Sequence, residues 1–222
     1  MFQDHPSLLR RLCRRLGGQL PGPPAQTRMS PRPRSGWKPG VLPDGCRHAA
    51  GLVLVYPIGE QSHLLLTQRR HDLPDHGGQV SLPGGELEPD ETKAEAAIRE
   101  AEEEVGIDGQ RISLVGHLTP LHIPVSRFIL HPIVGHATER PALTPSDDEV
   151  ARVLEPSLAS LASPNNWSHK QSERRGSLME VPFLAVDDLE VWGATAMVLA
   201  ELLALLDVDV NPWSANPDRF GE

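Results

Sequence analysis

Cysteine is nearly absent: Cys13 and Cys46 are the only two in 222 residues. Two cysteines do not make a disulfide framework for a chain of this length, and neither sits in a C-x-x-C or Cys/His zinc spacing. Two plain thiols suit a reducing compartment, and a cytoplasmic location is expected. A surplus of positive charge is also missing. The net charge of -9 leaves nothing to neutralise a phosphate backbone, which argues against a general nucleic-acid binder. A small anionic substrate is still compatible, because metal ions can supply the positive charge. Long apolar runs are lacking too. The most hydrophobic stretch, "AMVLAELLALLDV", is interrupted by Glu201 and falls short of the ~18 residues a membrane span needs. No internal repeat occurs. What remains, 39% hydrophobic and 23% charged residues, is the composition of a globular domain.

Proline is abundant, with 22 residues, and it shapes the organisation. Residues 1–46 combine a short helix with a Pro/Gly-rich stretch, "PGPPAQTRMSPRPRSGWKPGVLPDGC", which reads as an extended connection ordered by Met29 and Trp37. In the helix, Leu8, Leu9, Leu12 and Leu16 fall at helical spacing between arginines, predicting a Leu stripe packed on the domain. The Arg-rich amphipathic pattern also resembles a mitochondrial presequence, although Asp4 and Pro6 run against it. Residues 47–208 read as the main domain and 209–222 as a flexible tail. "HAAGLVLVYPI" is a near-continuous apolar run of strand length, predicting a central strand. "HLLLTQRR" follows as its hairpin partner, and "GGQVSLPGGEL" as a short strand entering a tight turn. A helix is predicted from Thr92 to Val105, stopped by Gly106. "RISLVGHLTPLHI", "RFILHPIVGHAT" and "GSLMEVPFLAV" read as strands, "PSDDEVARVLEPSLASL" as a short helix or strand, and 191–208 as a last helix. Strands interleaved with a few helices predict an α/β fold, a mixed sheet with helices on both faces.

The stretch "PGGELEPDETKAEAAIREAEEEVGI" crowds acidic residues just after a Pro-Gly-Gly turn. Glu100, Glu103 and Glu104 stand at i, i+3 and i+4, which puts them on one helix face with side-chain bases about 5–6 Å apart. Like charges at this spacing destabilise a helix by a few tenths of a kcal/mol per pair. Acceptor-only oxygens gathered on a rigid element are, however, what Mg²⁺ or Mn²⁺ requires. Gly84 and Gly85 permit a turn that brings backbone close to that helix. Glu91, about two turns before Arg99, can bridge to it and tie the loop to the helix. Glu95 and Glu102 point elsewhere.

These positions resemble a known signature. Gly85, then Glu91 after five residues, then Arg99-Glu100-Ala101-Glu102-Glu103-Glu104-Val105-Gly106-Ile107 after seven more, match the Nudix box. Ala101 stands where that family usually carries a larger apolar residue. Seven fixed types in register arise by chance in fewer than about one in 10⁷ windows, so coincidence is rejected. The resemblance implies a Nudix-type α/β/α sandwich with a mixed β-sheet that hydrolyses a nucleoside diphosphate linked to another group. It also implies that Glu100, Glu103, Glu104 and the Gly84 carbonyl bind the metal and that Glu91 pairs with Arg99.

The segment before the box, "LLLTQRRHDLPDHGGQVSLPGG", resembles that of the family's coenzyme A diphosphatases through Leu65, Leu66, Thr67, Arg69, Gly78, Pro83, Gly84 and Gly85. It departs at Arg70, Pro74 and Leu82, and Pro74 replaces an arginine expected to meet an anion. Later segments up to about residue 207 look similar as well. The resemblance implies a small-molecule, CoA-like nucleotide substrate, with Arg69 contacting its phosphate and Arg70 or His76 compensating for Pro74. Gly84 and Gly85 would approach the substrate through their backbone. Glu149 is expected to join the site from a later loop as ligand or base. Two alternatives stay open. One is another nucleoside diphosphate derivative (ADP-ribose, NADH or a dinucleoside polyphosphate); the other is a regulator that binds a nucleotide without catalysis. A homodimer is compatible with the sequence, but no stripe specifies one.

Overall fold

The computed structural model describes residues 4–73, 76–174 and 176–214. Its organising element is the long strand β1 (Arg47–Ile58), whose apolar run is buried on both faces from Ala50 to Tyr56. A strand covered on both sides must find hydrogen-bond partners at both edges. Along one edge β1 runs parallel to β8 (Phe128–His136), in register from Arg47 with Phe128 to Val55 with His136. Along the other edge it pairs antiparallel with β2 (Gln61–Leu64) and with the short β5 (Gly84–Glu86). β6 (Ser113–His117) and β7 (Leu121–Ile123) pair with β8 on its far side, completing a six-stranded mixed sheet.

The predicted hairpin partner of β1 is split. β2 ends at Leu64, and β3 (Leu66–Arg69) leaves for a separate antiparallel sheet between β4 (Val80–Ser81) and β9 (Val150–Leu154). Leu64, Leu65 and Leu66 are all fully buried, Leu64 and Leu66 in one core and Leu65 in the other. A third antiparallel sheet contains β10 (Trp167–Arg174), β11 (Ser177–Val186) and β12 (Leu189–Trp192). The stretch left open between helix and strand contains both: β9, then α4 (Leu158–Leu161), capped by Ser157.

Two layers of helix cover the central sheet. On one face lies α3 (Lys93–Val105). Its start is fixed by a capping box in which Thr92 and Glu95 exchange side-chain and backbone hydrogen bonds, and its end by Gly106 at φ 65. Its buried stripe is Ala96, Ala97, Ala101 and Val105, packed on Ala50, Leu52, Leu54 and Tyr56 of β1. Small residues on this stripe let the helix lie close to the sheet. On the other face lies α5 (Gly193–Leu205), apolar almost all round and correspondingly buried. It shares a core with Val53 and Val55, and also with Leu8 and Leu12 of α1 (His5–Leu16) and with Met29.

Residues 1–46 therefore include side chains of the main core. The short α2 (Pro23–Thr27) is held to α5 through the fully buried Glu201, whose carboxylate accepts from Gly22 N at 3.1 Å and Gln26 Nε2 at 2.9 Å. Thr119 donates to the same carboxylate through both N and Oγ1. At the far end, Val210 is buried and the Trp213 indole donates to the Arg28 carbonyl at 3.1 Å. The rest of the expected tail, residues 215–222, lies outside the described residues.

Candidate active site

β5 and the outer side of α3 meet at Gly84 and Gly85, which open that strand rather than forming the expected turn. Gly84 sits opposite Gly51 in the sheet, where an added Cβ would fall 2.2 Å from the Ala50 carbonyl oxygen. At Gly85 an added Cβ would fall 2.4 Å from the carboxylate of Glu100. Both glycines are thus required by close approach, but against different partners: backbone at 84, a functional side chain at 85.

Arg99 gathers the exposed half of the cluster. Its Nε and Nη2 reach Glu91 at 2.8 and 3.1 Å, and its Nη1 reaches Glu100 at 2.8 Å and Glu103 at 3.1 Å. Nη2 also donates to the Glu86 carbonyl at 3.1 Å. Glu91 accepts from the Glu88 amide as well, so the loop before α3 is locked to the helix at one guanidinium. Glu103 remains largely exposed.

Glu104 forms the deep half. It is 3% exposed and faces Arg69 Nη1 through Oε1 at 3.6 Å. Among the described residues its other oxygen, Oε2, has no hydrogen-bond partner. Burial pushes its pKa up to about 8, with Glu149 and Glu100 adding to the rise and Arg69 opposing it. Glu100 is raised for the same first reason, burial, against the pull of Arg99.

The loop that supplies Glu149 is fastened to the C-terminus of α3. Thr144 N donates to the Val105 carbonyl at 2.7 Å and Ser146 N to the Glu104 carbonyl at 2.8 Å, satisfying two of the helix's last acceptors. Glu149 then stands with Oε2 3.9 Å from Arg69 Nη1. Nothing in the sequence announced this fastening, since it uses backbone donors of an irregular loop.

The structure therefore brings Glu91, Arg99, Glu100, Glu103, Glu104, Glu149, Gly84, Gly85 and Arg69 into one region. Arg70 lies beside it but is engaged: its side chain pairs with Asp72 at 2.7 Å and donates to the Asp147 carbonyl. His76 contacts Gln79 at 3.0 Å and no residue of the cluster. Arg69 faces the two carboxylates rather than standing free for a phosphate. Pro74 lies outside the described residues.

Among the described residues no three His, Cys, Asp or Glu side chains form a ready-made metal cluster. The reason is visible in the contacts above: Arg99 draws Glu100 and Glu103 to itself, while Glu104 faces inward to Arg69. The donor set nonetheless fits a hard divalent cation. It offers hard oxygen donors, among them the Glu104 Oε2, buried and unpartnered among the described residues.

Fold and site together define an α/β sandwich with a glutamate-rich helix packed against the Gly-Gly start of β5. The NUDIX domain model matches residues 47–175, and the chain belongs to the Nudix family. It is 34% identical over 171 residues to a protein of Photorhabdus laumondii described as an uncharacterized Nudix hydrolase NudL, covering 77% of this chain and 90% of that one. A protein of the same description from Salmonella newport is 37% identical over 153 residues, 68% of this chain and 78% of the relative. Among solved structures, the Nudix hydrolase RenU of M. smegmatis aligns with a TM-score of 0.53 at 21% identity, over 72% of this chain and 86% of its own, a likeness of fold.

Proposed function

We propose that the protein is a divalent-metal-dependent hydrolase that splits the diphosphate of coenzyme A or its acyl derivatives into 3',5'-ADP and (acyl-)4'-phosphopantetheine. The observation that carries the hydrolytic reading is the Glu104 carboxylate, buried with an unpartnered oxygen between Gly84, Arg69, Glu100 and Glu149. The choice of coenzyme A rests on the resemblance of Leu65, Leu66, Thr67, Arg69, Gly78 and Pro83 to the matching segment of coenzyme A diphosphatases.

In this reading Glu100, Glu103, Glu104 and the Gly84 carbonyl hold Mg²⁺ or Mn²⁺, which when bound lowers the pKa of water and neutralises charge on the diphosphate. The chain's own groups do the rest. Arg99, fixed by Glu91, orients Glu100 and Glu103. Arg69 holds Glu104 and Glu149 on the same side. Glu149, half exposed, would take the proton of the attacking water. The water oxygen bonds to one phosphorus as the bridging P–O bond breaks, and the other phosphate leaves with the electron pair. A cytoplasmic location fits the two free thiols.

The alternative substrates, ADP-ribose, NADH and dinucleoside polyphosphates, are kept by Pro74, which stands where the resembled pattern has arginine. The test is a substrate panel with Mg²⁺ or Mn²⁺, products identified by mass spectrometry. Hydrolysis of coenzyme A, lost by orders of magnitude in Glu103→Gln, is expected. Turnover of ADP-ribose with none of coenzyme A would reject the substrate assignment.

A further inference from the structure

The acidic run Asp147-Asp148-Glu149 stands beside a region already crowded with carboxylates, and like charges at that density push the loop outward. The loop is held from both sides. On the α3 side, Ser146 N donates to the Glu104 carbonyl at 2.8 Å. On the β3 side, past a shift of register at Gln68 and Arg69, Arg70 N donates to the Glu149 carbonyl at 2.9 Å. The Arg70 side chain adds a second bond, from Nη1 to the Asp147 carbonyl at 2.5 Å. Asp72 braces the same guanidinium, accepting from Nε at 2.9 Å and from Nη2 at 2.7 Å.

These bonds commit the whole fork. The Nε–Nη2 edge is taken by a carboxylate and Nη1 by a carbonyl, so a phosphate could bind Arg70 only by displacing one of them. Asp72 and Arg70 are both exposed, and exposed ion pairs add little to stability. What the arrangement does instead is geometric. Asp147 is two residues before Glu149, whose Oε2 stands 3.9 Å from Arg69 Nη1. The same Arg69 nitrogen is 3.6 Å from Glu104 Oε1, so a shift of the 147–149 segment moves the Glu149 carboxylate relative to the cluster.

We propose that Arg70 is a positioning residue: braced by Asp72, it grips the Asp147 carbonyl and so keeps the Glu149 carboxylate facing the cluster, without touching the substrate. The inference rests on the reading of Glu149 as the group that takes the proton of the attacking water. It replaces the phosphate contact expected of Arg70 from the sequence.

The test has one arm that needs no substrate and one that does. In amide hydrogen exchange of the full chain without metal, Arg70→Gln is expected to speed exchange of the Ser146 and Val150 amides about tenfold or more. These amides donate to the Glu104 and Ser146 carbonyls. The amides of α3 should be unchanged and Tm near that of the wild type. Asp72→Asn, which leaves the fork without its brace, should speed the same amides to a smaller degree. The kinetic arm uses Mg²⁺ and whichever diphosphate the substrate panel shows to be hydrolysed. Arg70→Gln should lower kcat by roughly ten- to a hundredfold, the scale of a small misplacement at a reacting centre, with KM unchanged. Arg70→Lys, with charge but no fork, should recover only part of the loss. In the Glu149→Gln background the Arg70→Gln change should cost nothing further, because both act through one group. Unchanged exchange in Arg70→Gln would overturn the proposal, as would a raised KM with kcat intact or a full further loss in the Glu149→Gln background. Normal turnover in Glu149→Gln would instead reject the proton-acceptor reading, while the exchange arm still decides whether Arg70 holds the segment.

Discussion

At the scale of single residues, the two adjacent glycines that open β5 separate structure from chemistry. In Gly84→Ala the new Cβ meets a backbone oxygen that cannot give way, so loss of the folded protein is expected, read as loss of cooperative thermal unfolding. In Gly85→Ala the Cβ meets the far end of the Glu100 side chain, which can swing aside. That variant should fold with a Tm near wild type and lose activity by roughly 10²-fold, the scale of a misplacement near 1 Å at a reacting centre. Normal turnover in Gly85→Ala would show that the position of Glu100 is immaterial. Glu104→Gln makes a complementary prediction. Removing a carboxylate that burial already disfavours should leave metal-free stability equal or higher, while turnover falls by orders of magnitude. A large fall in metal-free Tm would contradict it.

At the scale of elements, the parallel pairing of β1 with β8 stacks His48 against His131, with ring nitrogens 2.8 Å apart. Burial, then the nearby charges of Lys93, His48 and His117, hold the His131 pKa at about 4, below its ordinary 6.5. Between those two values the unfolded chain binds a proton that the folded one refuses. Stability from this group is thus complete above pH about 6.5 and is lost as pH falls toward about 4, an effect of the order of 3 kcal/mol for a shift of this size. Denaturant unfolding across this range should show the loss, and His131→Gln should flatten it; an unchanged slope would remove His131 as the cause. The elements also show what a sequence can and cannot reveal. The α3 limits were legible because Thr92, Glu95 and Gly106 act locally, and β1 because its apolar run is long. The split of "HLLLTQRR" into β2 and β3 was not, since Leu64, Leu65 and Leu66 simply alternate between the two cores and only the strands they pair with change. β10, "WSHKQSER", is polar along most of its length, and its pairing with β11 decides its conformation rather than any apolar period.

At the scale of the whole molecule, one buried carboxylate, Glu201, holds the α2 region to the last helix. Glu201→Ala would leave Gly22 N, Gln26 Nε2 and the Thr119 donors without their acceptor, and a loss of about 3 kcal/mol or more is expected by urea titration. A change within about 0.5 kcal/mol, typical of an uninvolved surface site, would contradict the anchoring role. The sequence pointed to α1 through its Leu stripe, and it pointed to the glutamate cluster because the box spacing is local to one helix and one turn. Glu149 was expected from a later loop by resemblance, but the backbone bonds of Thr144 and Ser146 that fasten that loop to the end of α3 come from a distant irregular segment and were hidden for that reason. The most direct measurement of the central claim is anomalous diffraction from crystals soaked in Mn²⁺. The account predicts manganese density against Glu104 Oε2 and the carboxylates of Glu100 and Glu103, with Arg99 drawn away from the latter two. Manganese elsewhere, with Arg99 still bridging Glu100 and Glu103 and Glu104 unligated, would contradict it.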